Sequence, residues 1–220
     1  MTGTKPDRGF DGLDRLDQAL GRPDYRQALL TLLGMGLGLV LFVAAERIVT
    51  PRYHFATFAD DAIPFLPWSW CVYVLFFPFV VVAAAYASAE DFRLFKAAAS
   101  LAFVAALVCF ALFTETVPRP DPALIHNLFL RQRIGRLWGL DLPTNGFPSL
   151  HVALTCLGCW MLWRSRFKWI AACVGTLICL STLTIKQHTL VDVTGGALLS
   201  LMCGVVVTKW RGAPAVRGNA

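Results

Sequence analysis

The sequence predicts an all-α polytopic membrane protein, with six transmembrane helices in a bundle. Three observations predict it. The 220-residue chain is 56% hydrophobic and 15% charged, with a mean hydropathy of +0.58. That is too apolar for an ordinary soluble domain, and the length suits a single domain. Residues 27–45 and 62–89 contain no charged side chain, and about 20 apolar residues suffice to cross a hydrocarbon core of about 30 Å. Four further apolar runs cover 97–114, 149–163, 169–185 and 189–208. A soluble bundle of buried helices would need far more polar surface to cover it.

The chain begins with a polar leader, residues 1–25, too long and too polar for a cleavable signal, and the run that follows exceeds a signal core of about 7–15 residues. Within the leader, Phe10, Leu13, Leu16 and Leu20 are spaced for a short helix on the membrane surface. A frayed tail is the rival reading. Residues 26–210 form the membrane domain, and 211–220 a short tail. Both ends are placed in the cytoplasm, because that arrangement puts 13 of the 20 Lys and Arg residues inside. It corresponds to a multi-pass protein of a cell membrane, expected to be a bacterial inner membrane. Trp68, Trp70 and Trp138 then fall near the outer interface, and Trp160, Trp163, Trp169 and Trp210 near the inner one. The net charge of +6 reads as topology and contact with anionic lipid. It gives no sign of a nucleic-acid partner, since no basic stripe is interleaved with aromatics.

All seven cysteines lie in apolar runs. Cys156 and Cys159 have CxxC spacing, but no second pair accompanies them, so small packing residues are the better reading than a metal or redox site. Gly195–Gly196 and the "GMGLG" of 34–38 read as sites of close helix packing. No strand precedes either, so neither is a phosphate loop. There is no internal repeat.

The six-span arrangement gathers the ionisable residues that remain. The connection 115–148 lies outside, His151 opens the fourth span, and Lys186 and His188 sit in the turn between the fifth and sixth. Arg119, His151, Lys186, His188 and Asp192 therefore share one membrane face, where ionisable groups are costly and mark function. His188 and Asp192 are four apart, so a carboxylate can orient the imidazole and leave its other nitrogen free as nucleophile or base. Ser149 is a natural N-cap ahead of His151, and helix N-termini favour anions. Two imidazoles, an orienting acid, two cations and a helix N-terminus suit phosphoryl transfer, one imidazole attacking phosphorus and the other protonating the leaving oxygen. A metal site of His151, His188 and Asp192 is the weaker alternative, because it lacks a compact ligand motif. His54 and His126 are read as solvated loop residues.

Three segments carry a family resemblance: "RP" at 119–120, "PSLH" at 148–151 and "STLTIKQHTLVD" at 181–192. They resemble the signature motifs of the type 2 phosphatidic acid phosphatase superfamily. The resemblance implies His188 as the nucleophile forming a phosphohistidine, Asp192 as its orienting acid and His151 as the general acid. It further implies Arg119 and Ser149 as phosphate ligands, with no metal and no cofactor. Leu112, Leu150 and Thr182 stand where the family pattern has lysine, glycine and arginine. Two phosphate-binding cations are thereby lost, and Lys186 is the expected substitute for one. The partner implied is a membrane lipid phosphate held in the bilayer. The activity expected first is hydrolysis of a lipid phosphomonoester or diphosphate. "FPSLH" and the third segment look closer to the inositol phosphorylceramide synthase branch, which passes a phospho-headgroup to a lipid alcohol. The rival of a different class is a non-enzymatic lipid-binding or transport protein, for which an oriented imidazole would have no use.

Overall fold

The computed structural model describes residues 21–212; the leader carrying Phe10, Leu13, Leu16 and Leu20, and the last eight residues, lie outside the described residues. Among the described residues the regular structure is helical, joined by isolated bridges from Tyr53 to Glu115 and from Thr116 to Thr144. Helix α1 spans Tyr25–Glu46. Asp24 caps it, accepting from the backbone N–H groups of Arg26 and Gln27 at 2.9 and 3.1 Å. Only Gln27, Thr31 and Glu46 of α1 are buried; its leucines and Val40 are exposed, some of them along a groove beside α5.

The uncharged stretch 62–89 does not form one helix. A short α2, Phe58–Ala62, precedes it. A 3₁₀ turn at Pro67–Ser69, α3 at Trp70–Tyr73 and α4 at Phe76–Tyr86 then follow one another along a single apolar segment, Pro67–Tyr86. Helix α5, Ala89–Leu112, starts eight residues before the apolar run at 97, because Ser88 caps a polar first turn by accepting from Asp91 N–H at 3.0 Å. The long connection also contains a helix the apolar pattern does not signal. This is α6, Leu128–Leu140, which buries Ile134 and Trp138. Trp138 thus packs inside the fold, not at a lipid interface. The last three helices are α7 (Leu150–Met161), α8 (Lys168–Thr184) and α9 (Leu190–Gly212).

Length and composition support four membrane crossings: α1, Pro67–Tyr86, α5 and α9. Helices α7 and α8 are apolar but only 12 and 17 residues long, so the expected count of six is not reached on length. The main core lies where α4, α5, α7, α8 and α9 meet, around Val80, Phe95, Ala98, Leu157 and Ile178. All seven cysteines are free, and Cys159 spends its thiol on the Ala171 carbonyl at 3.2 Å.

The two glycine segments behave differently. A Cβ on Gly196 would lie 2.4 Å from the Ser149 carbonyl oxygen, and one on Gly195 2.4 Å from the Phe147 ring. This is close packing of α9 against the start of α7. Gly34 and Gly36 of α1 meet nothing within 4 Å. The expectation of tight packing at 34–38 is therefore wrong for those two, because α1 stands off from its neighbours there.

Candidate active site

The site is built where the α8–α9 turn meets the start of α7. Helix α8 ends with Lys186 in the left-handed region, φ 55°. This lets the Thr182 carbonyl accept from the N–H groups of both Gln187 and His188, at 2.9 and 3.2 Å. Helix α9 begins with a reciprocal cap: Thr189 N–H donates to Asp192 Oδ2 at 2.7 Å, and Asp192 N–H faces Thr189 Oγ1 at 3.4 Å. The same Oδ2 lies 3.5 Å from His188 Nδ1. Asp192 therefore serves as helix cap and imidazole partner at once. The helix starts two residues later than the His-to-Asp spacing suggests, and the capping turn keeps the pair together.

His151 sits in the first turn of α7, below its cap. Ser149 is fully buried, its Oγ accepts from Val152 N–H at 3.3 Å, and its own N–H donates to the Asp192 carbonyl at 3.1 Å. This places His151 Nδ1 3.4 Å from His188 Nε2. The other nitrogen of His151, Nε2, lies 2.8 Å from the Tyr73 hydroxyl, and the ring packs on Phe76 at 4.6 Å. The result is a chain of polar groups: Asp192, His188, His151, Tyr73.

Arg119 approaches from the long connection. It donates to the carbonyls of Asp141 and Leu142 at 2.6 and 3.3 Å and pairs with the Asp141 carboxylate at 3.5 Å. Its guanidinium lies 5.6 Å from the Trp138 ring. Burial pushes the guanidinium pKa down, opposed by the charge of Asp141. Burial also pushes the Asp141 carboxyl up, opposed by Arg119. Gln187 donates to the same carboxylate, and Glu46 accepts from Leu142 N–H at 3.3 Å, which ties the end of α1 to this loop.

Of the residues singled out in the sequence, His151, His188, Asp192, Ser149 and Arg119 gather around one spot. Lys186 turns away from the imidazoles. Its ammonium donates to the carbonyls of Asp60 and Ile63 at 2.8 and 2.7 Å, and so anchors the segment after α2. Thr182 is buried, with its hydroxyl on the Cys179 carbonyl at 2.7 Å. His54 and His126 are exposed.

Two cavities converge on the cluster. The larger, about 430 Å³, is a mostly apolar groove between α1 and α5 that ends at Arg119, Asn145, His151 and His188. The smaller, about 270 Å³, lies among the connecting segments and is bounded by Asp60, Arg119, Lys186 and His188. Arg119 and His188 line both.

Tyr73, Glu115, Asp141 and Asn145 belong to the site and carry no sequence signal. Glu115 is fully buried. Burial first, and then the neighbouring Asp192 carboxyl, pushes its own carboxyl up to about 10. Gly146 packs against both acids: a Cβ there would lie 2.2 Å from Glu115 Oε1 and 2.9 Å from Asp192 Oδ2. Asn145 adopts φ 59° and is 1% exposed, with neither side-chain polar atom partnered. A positive φ suits asparagine better than most residues, but nothing in a single sequence distinguishes this asparagine from any other turn former.

The sequence profile of the PAP2 superfamily matches residues 65–206. The chain belongs to the PAP2 superfamily. Members of that superfamily are phosphatases or phosphotransferases, and the matched region holds helices α3 to α8, most of α9 and all of the residues gathered at the site. The chain is also 34% identical over 83 residues to a protein of Candida albicans described as an inositol phosphorylceramide synthase. That match covers 31% of this chain and 17% of the relative. With its long apolar helices, this PAP2 superfamily member is a multi-pass membrane protein.

Proposed function

We propose that this protein hydrolyses a phosphoester of a membrane lipid through a phosphohistidine on His188. The observation that carries the reading is the pair of imidazoles, His188 Nε2 and His151 Nδ1, 3.4 Å apart, with Asp192 behind the first and an apolar groove leading to both. Asp192 holds the Nδ1–H tautomer of His188, which leaves Nε2 with a lone pair for phosphorus. Nε2 attacks, the bond from phosphorus to the lipid oxygen breaks, and His151, entering the step as an imidazolium beside the bound phosphate anion, gives its extra proton to that oxygen. Water then attacks phosphorus and loses a proton to His151, the P–N bond breaks, and inorganic phosphate leaves with His188 restored. Arg119, braced on two carbonyls, and the N–H groups of the first turn of α7 are suited to the charge that builds on the phosphoryl oxygens.

The test is purified protein in detergent with lipid monophosphates and diphosphates, following inorganic phosphate and new lipid products together. Free phosphate released with the wild type and lost with His188→Ala supports hydrolysis. Phosphate retained in a new lipid ester would replace hydrolysis with transfer to a lipid alcohol. Turnover of neither kind, with lipid phosphate still bound, would leave a binding protein.

A further inference from the structure

The large groove has a definite shape. On α1 its wall is Leu30, Thr31, Gly34, Leu37, Gly38 and Leu41, residues three and four apart on one face of the helix. Opposite stand Phe95, Ala99 and Phe103 of α5. Gly38 leaves only van der Waals room, since a Cβ there would lie 3.5 Å from the Phe103 ring, whereas Gly34 leaves open space. Gly36, two residues from Gly34, also meets nothing but is not part of the wall. Away from the imidazoles the groove reaches buried Thr31 and exposed Lys96, two polar residues.

From Leu30 to Leu41 the α1 wall rises about 16 Å at about 1.5 Å per residue. That is close to the depth of one leaflet, half of a hydrocarbon core of about 30 Å. The head of the groove is polar and unfinished: Asn145 is buried with both amide atoms unpartnered, beside Arg119, His151 and His188. A ligand that suits these ends has a small polar head and one hydrocarbon chain of leaflet length.

We propose that the α1 face carrying Gly34 and Gly38 holds the hydrocarbon chain of the substrate and that the open space at Gly34 sets how long a chain is accepted. The inference rests on the proposed lipid phosphatase reading and adds a selectivity to it. A Gly-xxx-Gly pair on an apolar helix also suits dimerisation. Here, however, the pair faces α5 of its own chain across the groove, and the groove runs without interruption to the imidazoles.

The experiment compares turnover of octyl phosphate and hexadecyl phosphate by the wild type, Gly34→Leu and Gly36→Leu. Leucine at 34 projects into the groove; leucine at 36 adds the same bulk off the wall. Gly34→Leu is expected to lower the hexadecyl-to-octyl ratio by about tenfold or more, the scale on which a pocket resolves apolar volume. Gly36→Leu should leave the ratio unchanged. An unchanged ratio in a Gly34→Leu protein that still turns over octyl phosphate overturns the proposal. So does an equal fall in both variants, or a dimer that Gly34→Leu dissolves without altering the ratio. Photocrosslinking keeps the test independent of how the variants fold. Hexadecyl phosphate carrying a diazirine near its chain end, added to wild type, should label residues 30–42 and 95–104. Label spread over the outer face of α8 instead would contradict the groove. If the wild type turns over neither phosphate, the catalytic reading fails, while the crosslink still reports on the chain site.

Discussion

The start of α9 and the middle of α1 both carry paired glycines, yet the fold uses them in opposite ways. At Gly195 and Gly196 a single methyl group would collide with Phe147 and with the Ser149 carbonyl. At Gly34 a methyl group would touch nothing. The first pair lets α9 approach the start of α7 so closely that Ser149 N–H reaches the Asp192 carbonyl at 3.1 Å, which locks the two histidine-bearing helix starts together. The second leaves room beside the same site. One half of the molecule packs the two histidine-bearing helix starts closely against each other, as a preorganised site requires; the other half leaves open space along α1.

Several changes would sharpen or break that contrast. The largest effect is expected from His151→Ala, which should cut lipid turnover by about 10²–10⁴-fold but spare p-nitrophenyl phosphate, whose leaving group needs little protonation. An equal loss on both substrates would deny His151 the role of general acid. Gly196→Ala comes next. Forcing a methyl group against a backbone carbonyl should cost about 1–3 kcal/mol of stability and lower turnover of all substrates, while Gly34→Ala should lower neither. Comparable melting temperatures for the two variants in detergent would erase the contrast between the regions.

Lys186→Ala tests a smaller effect. Its ammonium satisfies two carbonyls after α2, so its loss should cost about 1–3 kcal/mol of stability. Thr182→Ala should cost less, because that hydroxyl bonds only within its own helix. A fall in turnover with no change in melting for Lys186→Ala would return the lysine to the phosphate. A pH-dependent effect concerns Glu115. Its carboxyl is pushed up to about 10 from 4.5, so between those values the folded protein holds a proton that the unfolded chain has released. Stability should therefore fall as pH rises through that window, and Glu115→Gln should flatten the dependence. The check is the melting temperature from about pH 6 to about pH 9; a wild type that is equally stable across it would mean that Glu115 is ionised in the fold.

How much of this was legible in the sequence depended on the range of the signal. Helix composition is local, so α1, α5, α8 and α9 could be read directly from uncharged runs. His188 and Asp192 were legible because four residues is one helical turn, and Ser149 because caps precede apolar runs. Arg119 was legible only through its motif. The carbonyls that Lys186 meets were not legible from charge alone, since nothing local shows that Asp60 and Ile63 fold back to reach it. Helix α6 was hidden because its arginines interrupt the apolar pattern, and Glu115 and Tyr73 because their partners lie 77 and 78 positions away along the chain. The open space at Gly34 and the collision at Gly196 are identical letters in the sequence; only the neighbours distinguish them.

The central claim is that His188 Nε2 carries the phosphoryl group. The direct measurement is acid quenching of purified protein mixed with ³²P-labelled lipid phosphate, followed by assay of the protein for acid-labile, base-stable phosphate and by mapping of the labelled peptide. The account predicts label on the peptide containing His188, its loss in His188→Ala, and its appearance with p-nitrophenyl phosphate in His151→Ala. Label that persists in His188→Ala, or that maps to the peptide containing His151, would contradict it.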